Sequence, residues 1–281
     1  MKLNKSKMKF LMSGTFAFLL TLLFVTLYVC FGFGLGVFNN RSIISKINES
    51  KYYSNVCVEL NIKAEKILLK AGLPSTVLKD VITLERVYVG GDNYIQNILK
   101  GKEPQIKTEK LVAALTLNID HYLQEEGINQ TNELKADIEE LITAIEVDYK
   151  SGIQLQFVNY ITEYKIKFIN LMKVIVPILI VLIGILCFFL IRMHQYKHRG
   201  IRYITYALIS SSWIIIIAAA YLLMVKSYTK VILTPDYYHN FLVAYLKGDI
   251  TVFIYLGGIG LTIAMALISL VGFLKSRANN D

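Results

Sequence analysis

The chain has 281 residues, 54% of them apolar, with a formal charge of +9 and a mean hydropathy of +0.48. A soluble domain is usually about 45–50% apolar, and here the excess lies in four blocks between segments of ordinary polarity, which excludes a soluble protein with one oversized core. The charge does not form a nucleic-acid face either: residues 39–168 hold 16 Lys/Arg against 18 Asp/Glu, so the positive excess sits beside the apolar blocks, where it sets membrane orientation.

Residues 1–9 form a short tail with Lys2, Lys5, Lys7 and Lys9. The first block, 10–38, then runs without a charge. Crossing about 30 Å of hydrocarbon takes about 20 helical residues, so this block spans with some to spare. It is too long for the 7–15-residue apolar region of a cleaved signal and lacks a small-x-small cleavage site. An uncleaved signal-anchor is expected. Gly32 and Gly36 near its end make a Gly-x-x-x-Gly face, suited to close helix packing.

Residues 39–168 read as a helical domain, because apolar residues recur at a period of 3.6. Tyr53, Val56, Cys57, Leu60, Ala64, Ile67 and Leu68 share one helical face, closed by Gly72. Pro74-Ser75 starts a short helix, and Gly90-Gly91-Asp92 reads as a turn before the segment 94–99. A second stripe, Leu111, Leu115, Ile119 and Tyr122, is opened by Thr108 as N-cap and closed near Gly127. A third is Leu134, Ile138, Leu141, Ile142 and Ile145. Phe157, Val158, Ile161, Tyr164 and Phe168 then mark a stalk helix that runs into the next block without a breaker.

That block (169–192, stalk end and second span) has its apolar run at 174–191, which places Pro177 in the first turn of the span. A basic loop, 193–203, follows, and with Arg192 it presents Lys197, Arg199 and Arg202 without an acid. The third span is 204–224, a loop covers 225–250, the fourth span is 251–273, and 274–281 is a tail with Lys275 and Arg277. Gly260 and Ala264 continue a small-residue face on the fourth span. The tail, the basic loop and the C-terminal segment share one side if four helices cross, and the positive-inside rule makes that side cytoplasmic. Residues 39–168 and 225–250 then lie outside. Arg192, Lys197, Arg199 and Arg202 are expected to anchor on anionic lipid.

Catalysis needs nucleophiles, acids or metals that converge, and no such set is legible. Asp120-His121 reads as a surface pair rather than half of a relay. His194 and His198 are i, i+4 and would suit a metal if helical, but Arg192, Lys197 and Arg199 surround them and disfavour a cation. No catalytic residue, metal or cofactor is expected. The spans as delimited contain no Asp, Glu, Lys, Arg or His, against an ion-coupled pump. Hydroxyls at Thr21, Thr26, Ser210–Ser212 and Thr262 are expected to bond to helix backbone, or to line a path in an oligomer. Cys57 is alone in the polar domain, either a small buried hydrophobe or a bridge between protomers.

The expected fold class is therefore all-α: four transmembrane helices, with an α-helical extracytoplasmic domain inserted between the first and second. Lys-, Ile- and Asn-rich composition suggests a bacterial plasma-membrane protein with both termini cytoplasmic. The functional expectation is a non-enzymatic accessory or sensory subunit whose outer domain binds a protein, peptide or envelope partner, with the lipid bilayer and no nucleic acid as its other surroundings. An oligomeric channel or passive transporter is the alternative, for which a homo-oligomer would be needed. A cell-surface hydrolase is the second.

Overall fold

The computed structural model describes residues 5–231 and 233–280. It is all-helical, 85% helix, with no strand among the described residues. The helices are α1 (Lys5–Leu35), α2 (Asn40–Glu49), α3 (Tyr52–Lys70), α4 (Leu84–Leu99), α5 (Glu109–Glu125), α6 (Asn132–Ile153), α7 (Gln156–Arg192), α8 (Lys197–Val225) and α9 (Asp236–Asn280), with single 3-10 turns at Ser75–Leu78 and Ser227–Lys230. Four of them are long and apolar enough to cross a membrane, over Met8–Leu35, Phe157–Arg192, Lys197–Lys230 and Asp236–Ser276. Lys2 of the basic tail lies outside the described residues, as do the side chains of Lys5, Lys7 and Arg277.

Two compact units divide the chain, one of Met1–Ile43, Lys165–Ile232 and Leu242–Asp281, the other of Ile44–Tyr164 and Leu233–Phe241. In the apolar unit, α1 lies along α8. Leu20, Leu190 and Ala207 form a buried cluster, backed by Phe16, Phe24, Leu186 and Tyr203. Glycines set how closely the backbones approach. A Cβ at Gly200 would stand 2.6 Å from the Ile191 Cα and the Leu190 carbonyl oxygen, so only glycine lets α8 start against the end of α7.

Two expectations about this unit are corrected. Pro177 is not in a first turn: α7 starts at Gln156, which leaves the proline deep inside the helix, where it removes one i→i−4 hydrogen bond. The segment 225–250 is not loop throughout, because α9 begins at Asp236 and runs unbroken. No Gly or Pro interrupts Asp236–Lys247, so nothing stops the helix from extending ahead of its apolar part.

In the polar unit, α3 packs on α4, on α6 and on the Ser75–Leu78 turn, and α5 packs on that turn and on α6. The core follows the 3.6 period: Val56, Leu60, Ala64 and Leu68 from α3, Leu111, Leu115, Ile119 and Leu123 from α5, and Leu141, Ile145, Tyr149 and Ile153 from α6 are buried, while Tyr122, Leu134 and Ile138 of the expected stripes are only half-buried. α3 closes at Gly72, whose φ of +77° lets the Leu73 amide reach the Leu68 carbonyl (3.0 Å), a Schellman-type end. Gly127 (φ +65°) closes α5 in the same way through Ile128 N–H to Leu123 C=O (2.9 Å). The Thr83 and Thr131 hydroxyls accept from the amides of Arg86 and Leu134 (3.3 Å each) and cap α4 and α6.

Two further readings change here. Gly90-Gly91-Asp92 is no turn but the middle of α4. The glycines serve packing: a Cβ at Gly91 would collide with the buried Tyr53 ring. Thr108 does not cap α5 with its side chain, because its hydroxyl donates instead to Glu146 Oε1 at 2.6 Å. That bond and the Lys150 partner lower the Glu146 pKa, Lys150 being the larger cause.

The two adjacent glycines should respond oppositely to alanine. In Gly91→Ala the methyl meets a ring that cannot move away, and overpacking of about 1–3 kcal/mol exceeds the gain of about 1 kcal/mol in helix propensity. At Gly90 the new Cβ would stand 3.3 Å from Ile153 Cδ1, the end of a flexible side chain, so Gly90→Ala should hold or raise stability. Denaturation followed by tyrosine near-ultraviolet dichroism, with hydrogen exchange of α4 as a local check, reads both. Equal effects of the two variants would contradict this packing.

Candidate functional site

Within the polar unit, α3 is apolar on two faces. Its inner face holds the buried stripe. On the opposite face Val58, Ile62 and Leu69 stand at i, i+4 and i+11 and are 60%, 47% and 61% exposed. At 100° per residue the three lie within about 40° of one another, so they share one face, Val58 and Ile62 on adjacent turns and Leu69 beyond the exposed Glu65 and Lys66. Sequence reading passed over them because the inner stripe already accounted for the period, yet their own helical spacing was a legible signal.

A second surface lies around α4. Leu84, Tyr88 and Val89 are exposed, and a cleft of about 370 Å³ runs between Leu84 and Tyr88 on one side and Ile47, Tyr52 and Tyr53 on the other. Its floor is an aromatic cluster. The fully buried Tyr52 ring meets Tyr53 at 5.6 Å, Tyr237 at 5.4 Å, Tyr238 at 5.9 Å and Phe241 at 6.2 Å, mostly edge to face. Tyr237 and Tyr238 therefore cover this unit. Burial, and then the neighbouring Tyr238 phenol, pushes the Tyr52 pKa up, and burial raises that of Tyr53 with Asp92 adding to it. These phenols stay neutral at physiological pH.

The paired residues singled out in the sequence separate. His121 Nδ1 lies 3.4 Å from Glu125, while Asp120 accepts from Gln130 Nε2 at 2.9 Å, so Asp120 and His121 do not form a relay. His194 and His198 are not on one helix, because α7 ends at Arg192 and α8 begins at Lys197. The His194 ring lies tilted against Tyr203 (5.4 Å) with Nδ1 2.9 Å from the Leu190 carbonyl, and His198 stacks on Tyr196 (5.6 Å). Among the described residues no three His, Cys, Asp or Glu side chains are grouped as metal ligands.

The small-residue positions all sit against neighbours of the apolar unit. A Cβ on Gly32 would run into the Phe253 ring, and one on Gly36 would lie 3.2 Å from Asp249 Oδ1. At Gly260 it would collide with the Tyr28 and Ser212 hydroxyls, which are 3.1 Å apart. Ala264 is 1% exposed. Arg192, Lys197, Arg199 and Arg202 are all exposed. Arg192 lies over the Phe188 ring (5.9 Å) and Arg199 over Tyr196 (5.5 Å), and no carboxylate among the described residues pairs with the four.

Asp249 was missed as a core residue. It fell two positions before the charge-free run and so read as loop, but it is helical, 3% exposed and set against Gly36. Nearby, the Tyr245 hydroxyl donates to the Val37 carbonyl. Four hydroxyls in the apolar stretches are turned to local backbone: Thr21 to Ala17 O and Thr26 to Leu22 O (2.9 Å each), Ser211 to Leu208 O (2.9 Å), and Thr262 to Ile259 O (2.6 Å).

Comparison with protein-family models, with curated proteins and with solved structures finds no match to this chain. The class that the fold defines is an all-helical protein with four helices able to span a membrane, together with a separate polar helical unit.

Cys57 is half-buried, its thiol 3.7 Å from the Ile82 carbonyl and 3.6 Å from Asn61 Nδ2. Burial raises its pKa above the ordinary 9.0, with the Asn61 contact opposing in part. Because the thiolate is the nucleophile, a membrane-impermeant maleimide should label Cys57 slowly at pH 7 and faster as the pH passes 9. Mass spectrometry after timed quenching measures this. Labelling at pH 7 as fast as that of a free exposed cysteine would contradict the buried setting.

Proposed function

We propose that this chain is a multi-pass membrane protein that holds both termini in the cytoplasm and displays its polar helical unit outside, where it binds a protein, peptide or envelope partner as an accessory or sensory subunit. Orientation rests on charge. The lysines before the first span, the four cations from Arg192 to Arg202 and Lys275 all flank the apolar stretches on the side that the positive-inside rule assigns to the cytoplasm.

Partner binding rests on the exposed α3 stripe of Val58, Ile62 and Leu69. A helix with one inner apolar stripe is complete as part of a core. A second stripe on the water side loses favourable burial unless something covers it, and aligned exposed apolar residues commonly mark interaction sites. A helix face of this kind suits a groove or a second helix, read through side chains at i, i+4 and i+11.

Purification from native membranes in mild detergent, with crosslinking and mass spectrometry, tests the reading. A stoichiometric partner crosslinked through residues 39–168 is expected. Val58→Glu with Ile62→Glu should reduce its recovery at least tenfold, since an interface centre does not tolerate unpaired charge. Neither side chain is in the core, so the melting of the polar unit should change little. A monomer that recovers no partner, or recovery unchanged by the double substitution, would refute the proposal.

A further inference from the structure

The segment between α3 and α4 is clamped by two side chains from different helices. Asn118 of α5 donates through Nδ2 to the Val77 and Lys79 carbonyls, both at 2.8 Å. Arg86 of α4 donates through Nη1 to the Asp80 and Val81 carbonyls at 2.6 and 2.7 Å. Asp80 takes a left-handed φ of +58°, a strained choice for a non-glycine residue. Between this segment and α5 lies a cleft of about 490 Å³, within the range of about 300–1,000 Å³ typical of small-molecule sites.

The cleft is chemically two-sided. Val77, Ala114 and Leu117 supply an apolar wall, and Leu117 is 70% exposed there. Arg86 and Lys79 bring positive charge, and Asp80 and Glu125 bring negative charge. Arg86 is half-buried, and Nη1 alone makes both of its hydrogen bonds. No carboxylate among the described residues pairs with it. A guanidinium so fixed presents its remaining N–H donors in a rigid fork, the geometry that takes a carboxylate on two bonds. A phosphate dianion fits less well, since Asp80 and Glu125 repel its second charge.

We propose that this cleft binds the α-carboxylate end of an apolar amino acid. The carboxylate sits on Arg86 with Lys79 beside it, the side chain lies on Val77, Ala114 and Leu117, and the α-nitrogen faces Glu125. The ligand is either a free amino acid or the C-terminal residue of a peptide, which share this chemistry. The site is separate from the α3 stripe and does not depend on it.

The test is calorimetric titration of the full-length protein in detergent with L-leucine, N-acetyl-L-leucine and L-leucinamide. Leucinamide lacks the carboxylate and should bind at least tenfold more weakly than the better of the other two, because charge-assisted hydrogen bonds are the ones lost. Binding of N-acetyl-leucine as tightly as leucine assigns the site to peptide C termini. Binding of leucine alone assigns it to the free amino acid, and Glu125→Gln should then weaken leucine. Leu117→Glu, at an exposed position that leaves folding intact, should reduce binding about tenfold in either case. Arg86→Lys should weaken leucine relative to leucinamide, which a purely structural tie to the 80–81 backbone would not do. Equal affinity for leucinamide, or no binding of any of the three, overturns the proposal.

Discussion

Inside hydrocarbon no water is available to bond a peptide group, and each unsatisfied N–H or C=O costs several kcal/mol. A stretch apolar enough to cross a membrane can therefore do so only as a helix, and its polar side chains must find partners within the protein. Thr21, Thr26 and Thr262 return their hydroxyls to carbonyls three or four residues back. It also changes what brings helices together, because apolar side chains gain little by leaving lipid for one another. Close fit takes over, and the glycines allow it: Gly32 makes room for the Phe253 ring, Gly260 for the Tyr28 and Ser212 hydroxyls, and Gly200 for the backbone at the end of α7.

The polar unit follows the opposite rule. Water is the alternative surrounding, and burial of apolar stripes supplies the main driving force. No disulfide staples it, since Cys57 is a free thiol. Its precision comes from a few polar ties placed where the chain leaves helical geometry. Asn118 and Arg86 hold four carbonyls between α3 and α4, those of Val77, Lys79, Asp80 and Val81. Asn61 Nδ2 bonds the Ile82 carbonyl (3.0 Å) as the segment ends. Backbone groups that helices would satisfy internally are thus met by side chains.

His121, His194 and His198 are engaged separately, in ring contacts or in contacts with a neighbouring carbonyl or carboxylate. The exposed stripe of α3 and the two-sided cleft beside Arg86 are features that folding alone does not need. Both lie on the polar unit.

Much of this was legible in the sequence, for a physical reason: a period of 3.6 and an uncharged run of about 20 residues are local properties, and backbone hydrogen bonding converts them into helices whatever surrounds them. The inner stripes of α3, α5 and α6, the closures at Gly72 and Gly127 and the four apolar stretches were of this kind. The tertiary structure decided what depends on a distant neighbour. Gly90-Gly91 reads as a turn until the Tyr53 ring shows why a helix needs glycine there. Thr108 reads as a cap until Glu146, 38 residues on, takes its hydroxyl. Asp249 reads as loop until Gly36 makes room for it, and the Arg86 cleft exists only because α4, α5 and the segment between α3 and α4 meet. Local pattern fixes which residues form an element. Which of its faces is left uncovered is set by contacts between residues far apart in the chain.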